Sequence, residues 1–357
     1  MSPVASPRIS PANSRMRLFA VLGGLYLAQG IPTYLFAAAI PPILREQGVS
    51  RTAIGMLSLL MLPLVLKFLW APLIDRYRPF ARAHRASWVI ITQLGIIAAL
   101  LGMLVVKPTD VMAIFWIGFF VAMLLSAQDI ATDGYAAKYL DPAGTAEAAL
   151  SKPSIRNFLA RPEARRILWI ALVYRASEGL VKSMEGAYLV DAGVPLDWIG
   201  YLSGGAAVTV GLGGSFIAAL LLHKYGSATV LALLGGLRTI CFAIFMLHAF
   251  ALFTGAAPIF GASFLQTMVR YMEIVALYSL FMSVTSSDQP GTDFTILSCA
   301  QLIVYLVGSM LAGRLADLLG YGPLFVLATA ISGLAVIMTY GMLRSAAAAE
   351  RQAEAIS

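Results

Sequence analysis

ILWIALVYRASEGLVKSMEGAYLVDA, residues Ile167–Ala192, is an apolar run of bilayer length interrupted by Arg175, Glu178, Lys182 and Glu185. Their spacing of three, four and three predicts that all four charges share one face of a helix. A charge at the bilayer centre costs at least ~2.5–3.5 kcal/mol, so a stripe of four does not face lipid. It faces other helices or a water-filled cavity, and a polar interior in a membrane bundle reads by default as a transport pathway.

The rest of the chain agrees. Hydrophobic residues make up 59% and charged residues 12% of the 357 positions, and the mean hydropathy is +0.82, beyond what a soluble domain tolerates. The net charge of +7 sits mostly between apolar segments, where it sets orientation in the lipid bilayer and implies no nucleic-acid partner. Cys241 and Cys299 both fall inside expected spans, so they form no disulfide framework. There is no phosphate-binding Gly-x-x-x-x-Gly-Lys-Ser/Thr loop, and His84, His223 and His248 are far apart with no Cys/His metal spacing. The chain is therefore expected to be no ATPase, to be no enzyme, and to need no cofactor or metal.

About ten spans of ~20 apolar residues fit, near 18–44, 53–73, 87–106, 110–136, 166–190, 199–222, 228–250, 257–286, 294–317 and 322–343. The fold class is all-α, a polytopic bundle. Arg76, Arg78, Arg82 and Arg85, then Lys152, Arg156, Arg161, Arg165 and Arg166, then Lys224 and Arg344, fall on one side with the N-terminal arginines. Both termini are expected in the cytoplasm. Arg45 and Arg51 dissent by falling outside, and Asp288 and Asp293 by falling inside. The expected division is a tail at 1–17, a first half of four helices at 18–138, a linker at 139–165, a second half of six at 166–343, and a tail at 344–357. An ungapped repeat supports it: GVSRTAIGMLS (48–58) matches GVPLDWIGYLS (193–203) at both glycines, Val, Ile, Leu and Ser. Each copy is read as the periplasmic turn between a long helix and its return helix.

Tyr26–Pro79, YLAQGIPTYLFAAAIPPILREQGVSRTAIGMLSLLMLPLVLKFLWAPLIDRYRP, resembles the opening of the AmpG-like branch of the major facilitator superfamily. AQDIATDGY (127–135), GTDFT (291–295) and GRLADLLGY (313–321) extend the resemblance. It looks closest to siderophore permeases of the RhtX/FptX type. The resemblance implies twelve helices, six per half, and the equivalents of the fifth and sixth are missing here. It also implies a cavity lined by the family's first, fourth, seventh and tenth helices, which are the first, fourth, fifth and eighth expected spans. Arg175 and Arg270 would then share a cavity and hold an anionic group through their planar forks. Lys182, Glu185, Tyr26, Gln29 and Tyr34 are further candidates for holding a small-molecule substrate.

Each candidate has a structural alternative. Self-neutralising pairs Arg175–Glu178, Glu178–Lys182 and Lys182–Glu185 would merely tie helices together. The coupling proton is expected on Glu178 first, then on Glu273 beside Arg270, then on Asp129 or Asp133, the last equally suited to capping. Lys67 is a partner for Asp129, and Asp75 and Arg76 resemble a shortened family loop that latches the cytoplasmic gate. Arg238 falls on a peripheral helix and is expected to be structural. The expected function is proton-coupled import of a siderophore or its ferric complex across a bacterial inner membrane. The alternatives are a muropeptide permease and a non-transporting remnant that binds a ligand or partner.

Overall fold

The computed structural model describes Val21, residues 24–25 and 27–70, Ile74, Tyr77, and residues 79–80, 84–107, 109–140, 155–286 and 290–356. Among these residues there are helices and no strand. Twelve of the helices serve as landmarks: α1 (Leu27–Glu46), α2 (Arg51–Val65), α3 (His84–Met103), α4 (Val111–Leu140), α5 (Ile155–Ala160), α6 (Pro162–Tyr174), α7 (Glu178–Asp191), α8 (Leu196–Tyr201), α9 (Ala207–Ala249), α10 (Ala256–Met282), α11 (Pro290–Leu319) and α12 (Tyr321–Ile356). The chain is a polytopic, all-α membrane protein.

Six helices of the described residues are long and apolar enough to cross a bilayer: Leu27–Glu46, Arg85–Met103, Val111–Thr132, Thr209–Ala249, Asp293–Leu319 and Tyr321–Ala346. The fourth contains Gly226 at φ 75°, ψ 163°, a break that divides α9 into two arms and accounts for two of the expected spans. The three expected spans outside this set coincide with α2, with α6 and α7 together, and with α10. They are the segments that carry Lys67, the charge ladder, and Arg270 with Glu273. In the first two of these the helix is interrupted, which leaves pieces too short to cross a bilayer unbroken.

The two copies of the sequence repeat build the same turn. Gly48 and Gly193 take φ 81° and 79°. Gly48 donates to Arg45 O at 2.9 Å and Val49 to Leu44 O at 3.0 Å; Gly193 donates to Val190 O and Val194 to Leu189 O, both at 2.9 Å. This is the Schellman closure of a helix, which needs a positive φ that glycine adopts freely. The return helices begin after residues of matching conformation, Ser50 (φ −61°, ψ 148°) and Pro195 (φ −59°, ψ 142°). Both lose regular α geometry at the same register, Leu57 entering a 3₁₀ turn and Leu202 a π turn.

Helix α3 packs on α4, and α9 lies along α10 and α12. Helix α7 packs on the end of α1, and α11 packs on α2 and on α7. Glycine permits these approaches: Gly179 sits against the backbone of Tyr305 and Ser309, and Gly55 lies face to face with Gly313. Small residues bring helix backbones together in a bilayer, where no hydrophobic force drives association. Residues 141–154 of the expected linker lie outside the described residues. Beyond them, α5 buries Phe158 in the second half, and Arg161 binds Val284 O at 2.9 Å and Asp293 at 2.5 Å.

Candidate functional site

The charge ladder does not run along one continuous helix. The helix ends at Tyr174, turns through Arg175, Ala176 and Ser177, and resumes at Glu178. Ala176 N bonds Val173 O and Glu178 N bonds Arg175 O, each at 3.2 Å, so the chain tightens to i→i−3 bonding. This turn points Arg175 and Glu178 toward α10. Glu178 is an ion-pair partner of both Arg175 and Arg270, with Arg270 Nε at 2.7 Å from its Oε1. Two arginines thus clamp one carboxylate between the two helices expected to share the cavity.

Glu273 takes its ion-pair partner from α9, in Arg238, and Arg270 pairs with Glu178. Arg238 Nη1 reaches the two Glu273 oxygens at 3.0 and 3.1 Å, and the Tyr174 hydroxyl lies 2.8 Å from Oε1. Arg175 Nη1 stands 3.9 Å away. Arg238 also donates to Ser332 at 3.1 Å and lies over the Tyr174 ring at 4.5 Å. Arg238, expected to be structural, does not line the cavity and pairs with Glu273 behind it. Only 2% exposed, it belongs to the same buried cluster, because α9 packs along α10 and brings it against Glu273. A spacing pattern within one helix carries no information about this partner.

Of the expected self-neutralising pairs, Arg175–Glu178 and Lys182–Glu185 form. Lys182 Nζ is 2.7 Å from Glu185 Oε2, and Glu185 Oε1 accepts from Ser263 of α10. Glu178 turns toward the arginines instead of Lys182. Arg175, Lys182 and Arg270 line a cavity of about 240 Å³ together with Thr33 and Tyr34 of α1, Tyr271 and Tyr278 of α10, and Gln301 and Tyr305 of α11. The Tyr34 and Tyr271 hydroxyls touch across it. The contribution of α11 was not visible in the sequence, where Gln301 is a lone amide in an apolar span. Its Oε1 is buried without a hydrogen-bond partner, as are Thr267 Oγ1 and Arg175 Nε.

In the first half, Gln29 is buried and donates to Thr132 of α4 at 3.4 Å. With Tyr34 and Asp129 it also lines a second cavity of about 210 Å³, which shares Thr33 and Tyr34 with the first. Lys67 Nζ lies 2.6 Å from Asp129 Oδ2. Tyr26, Asp75, Arg76 and the side chain of Asp133 lie outside the described residues.

A second polar assembly closes the end where α1 passes to α2. Asp191 at the end of α7 accepts from Arg45 at 2.7 Å, Arg51 at 3.1 Å and Tyr321 at 2.8 Å. Asp317 of α11 accepts the backbone N–H groups of Arg51 and Thr52 at 3.1 and 2.7 Å, and Arg51 lies 4.2 Å over the Tyr321 ring. Burial raises the Asp191 carboxyl, but the bonds from Arg45, Tyr321 and Arg51 outweigh it and hold the group below the usual carboxylate range. The charges that dissent from the orientation rule thus have structural work: Arg45 and Arg51 join the two halves, and Asp293 holds Arg161.

The acetyl-coenzyme A transporter 1 family matches residues 18–153, less than half of the chain. An uncharacterized protein of Haemophilus influenzae is 34% identical over 107 residues, which cover 30% of this chain and only 25% of that protein. The anhydromuropeptide permease of Escherichia coli K12 is 22% identical over 393 aligned positions, covering 89% of this chain and 79% of the permease. Among solved structures, a bacterial homologue of the iron transporter ferroportin in the inward-facing state superposes with a TM-score of 0.61 at 15% identity, covering 92% of this chain and 98% of the other. The nucleoside transporter NupG gives 0.58 at 10% identity, covering 91% and 97%. At these identities the likeness is one of fold, and the fold is that of major-facilitator transporters. The named relatives and neighbours are permeases and transporters rather than enzymes.

Proposed function

We propose that this chain is a proton-coupled permease for an anionic cell-wall fragment of the anhydromuropeptide class, working in a bacterial inner membrane with both termini in the cytoplasm. The observation that carries this reading is the charge balance of the buried cluster that borders the cavity. Arg175, Arg238 and Arg270 face Glu178 and Glu273, while Lys182 and Glu185 cancel. The cluster keeps one positive charge more than it neutralises, and a carboxylate on the cargo supplies the missing partner through a guanidinium fork. Tyr34, Tyr271, Tyr278 and Tyr305 supply ring faces and hydroxyls for a sugar or peptide body. The expectation of a siderophore gives way to the muropeptide reading, because a relative that aligns with 89% of the chain is a permease of that kind. Halves 18–138 and 166–343 rock about the cavity.

The test is uptake of labelled anhydromuropeptide into proteoliposomes under an imposed pH gradient, with equilibrium binding measured in parallel. Binding and gradient-driven uptake are expected. Arg175→Lys or Arg270→Lys loses a charge-assisted bond of ~1.5–3 kcal/mol, so binding should weaken about tenfold to a hundredfold. Absence of binding by the wild type overturns the cargo, and binding without uptake or counterflow supports the non-transporting remnant.

A further inference from the structure

Each buried carboxylate at the cavity differs in how many cations hold it. Glu178 has two arginines, one on each oxygen, so a cargo that draws away Arg270 leaves Arg175 in place. Glu273 is held by Arg238 and Tyr174, neither of which lines the cavity. Glu185 depends on one cation, Lys182. Its other contact is the neutral Ser263 hydroxyl, and the Cys241 thiol of α9 lies within its electrostatic reach. No titratable side chain from α1 or α8 lines its small chamber of about 30 Å³.

Lys182 is placed to leave. Its side chain is 21% exposed against 3% for Glu185, and it is the one charged residue that lines both the Glu185 chamber and the central cavity. An anion in the cavity therefore competes with Glu185 for the same ammonium group. Once Lys182 turns to the cargo, Glu185 is a buried carboxylate without a counter-ion, a state costing several kcal/mol that protonation relieves.

We propose that Glu185 is the proton-coupling carboxylate and that Lys182 is the exchange element linking it to the cargo. This rests on the anionic-cargo reading above. The Lys182–Glu185 bond breaks, Lys182 keeps its proton and pairs with the cargo carboxylate, and Glu185 takes up one proton from the solution from which the cargo entered, forming an O–H bond. Release of the cargo returns Lys182 to Glu185 and expels that proton. Cargo and proton then travel together, and Glu178 serves as a fixed ion-pair partner.

Two measurements on the purified full-length protein test this. The first needs no cargo: infrared difference spectra of Lys182→Met at neutral pH should show a protonated carboxyl band that disappears in the double variant Lys182→Met/Glu185→Gln. Absence of that band overturns the proposal whether or not an anhydromuropeptide is the cargo. The second is calorimetric binding of anhydromuropeptide in buffers of different ionisation enthalpy. The wild type should take up about one proton per cargo molecule, and Glu185→Gln should bind with uptake reduced to near zero. Unchanged uptake in Glu185→Gln overturns the proposal, as does uptake abolished by Glu178→Gln but not by Glu185→Gln. If Lys182→Met shows the band while the wild type binds no anhydromuropeptide, the cargo reading is removed and the exchange pair is supported.

Discussion

Replacing Asp191 by Asn should unlatch the closed end of the molecule. Asp191 is the single carboxylate that takes Arg45 and Arg51 of the first half, while Tyr321 anchors it within the second. The two ion-paired arginines are 19% and 23% exposed and the carboxylate 25%, so solvent screens the pairs and each contributes about 1 kcal/mol. Asn keeps the shape and loses the charge, removing roughly 2 kcal/mol from the closed state, or about a 30-fold change in the closed-to-open ratio. An open population of ~1% would rise to roughly a quarter. Spin labels at Gln47→Cys in the turn after α1 and Leu318→Cys on α11, with Cys241 and Cys299 replaced by Ala, report the separation across this end. The longer-distance population should grow in Asp191→Asn. An unchanged distance distribution would refute the reasoning and place closure in the glycine contacts alone. The pH dependence has a definite sign. The latched carboxyl titrates below the usual range, so the latch is fully present above that range and is lost only as pH falls through the lowered value. Between about pH 8 and 5 the wild-type distances should stay constant.

Three more outcomes are expected. Arg238→Met alone should destabilise the protein by about 3–5 kcal/mol by stranding Glu273, whereas Arg238→Met/Glu273→Met should recover most of the loss; thermal unfolding in detergent measures both. Gly179→Ala puts a methyl group into the backbone of Tyr305 and Ser309, so it should cost about 1–3 kcal/mol of stability in the same assay, against little change for Gly213→Ala, where the new methyl meets open space. Reporter fusions at Lys152 and at the C-terminus should report cytoplasm, and a fusion at Asp191 periplasm.

Hydropathy made the all-α bundle legible, and the repeat at Gly48 and Gly193 marked two turns whose backbone bonds prove to be alike. The period of the ladder brought out the four charged residues of the fifth span but implied a straight helix through them. No Pro or Gly marks the turn at Arg175–Ser177; it accompanies the pairing of Glu178 with Arg270, ninety-two positions away. The same limit hid the partner of Arg238 and the roles of Ser263 and Gln301. The meaning of each comes from a neighbouring helix that periodicity within a segment does not register.

The glycine seam between α2 and α11 has a consequence for how closure responds to its surroundings. Gly55 and Gly313 meet without side chains, so the helices can roll apart without unlocking interdigitated rotamers. What resists the roll is the ring of charges around Asp191 and Asp317, part of it in contact with solvent. Mobile ions screen such a ring over about 8–10 Å at ordinary electrolyte concentrations. The rate at which this end opens should therefore rise with the ionic strength of the solution that bathes it, making the barrier a property of the medium as much as of the protein.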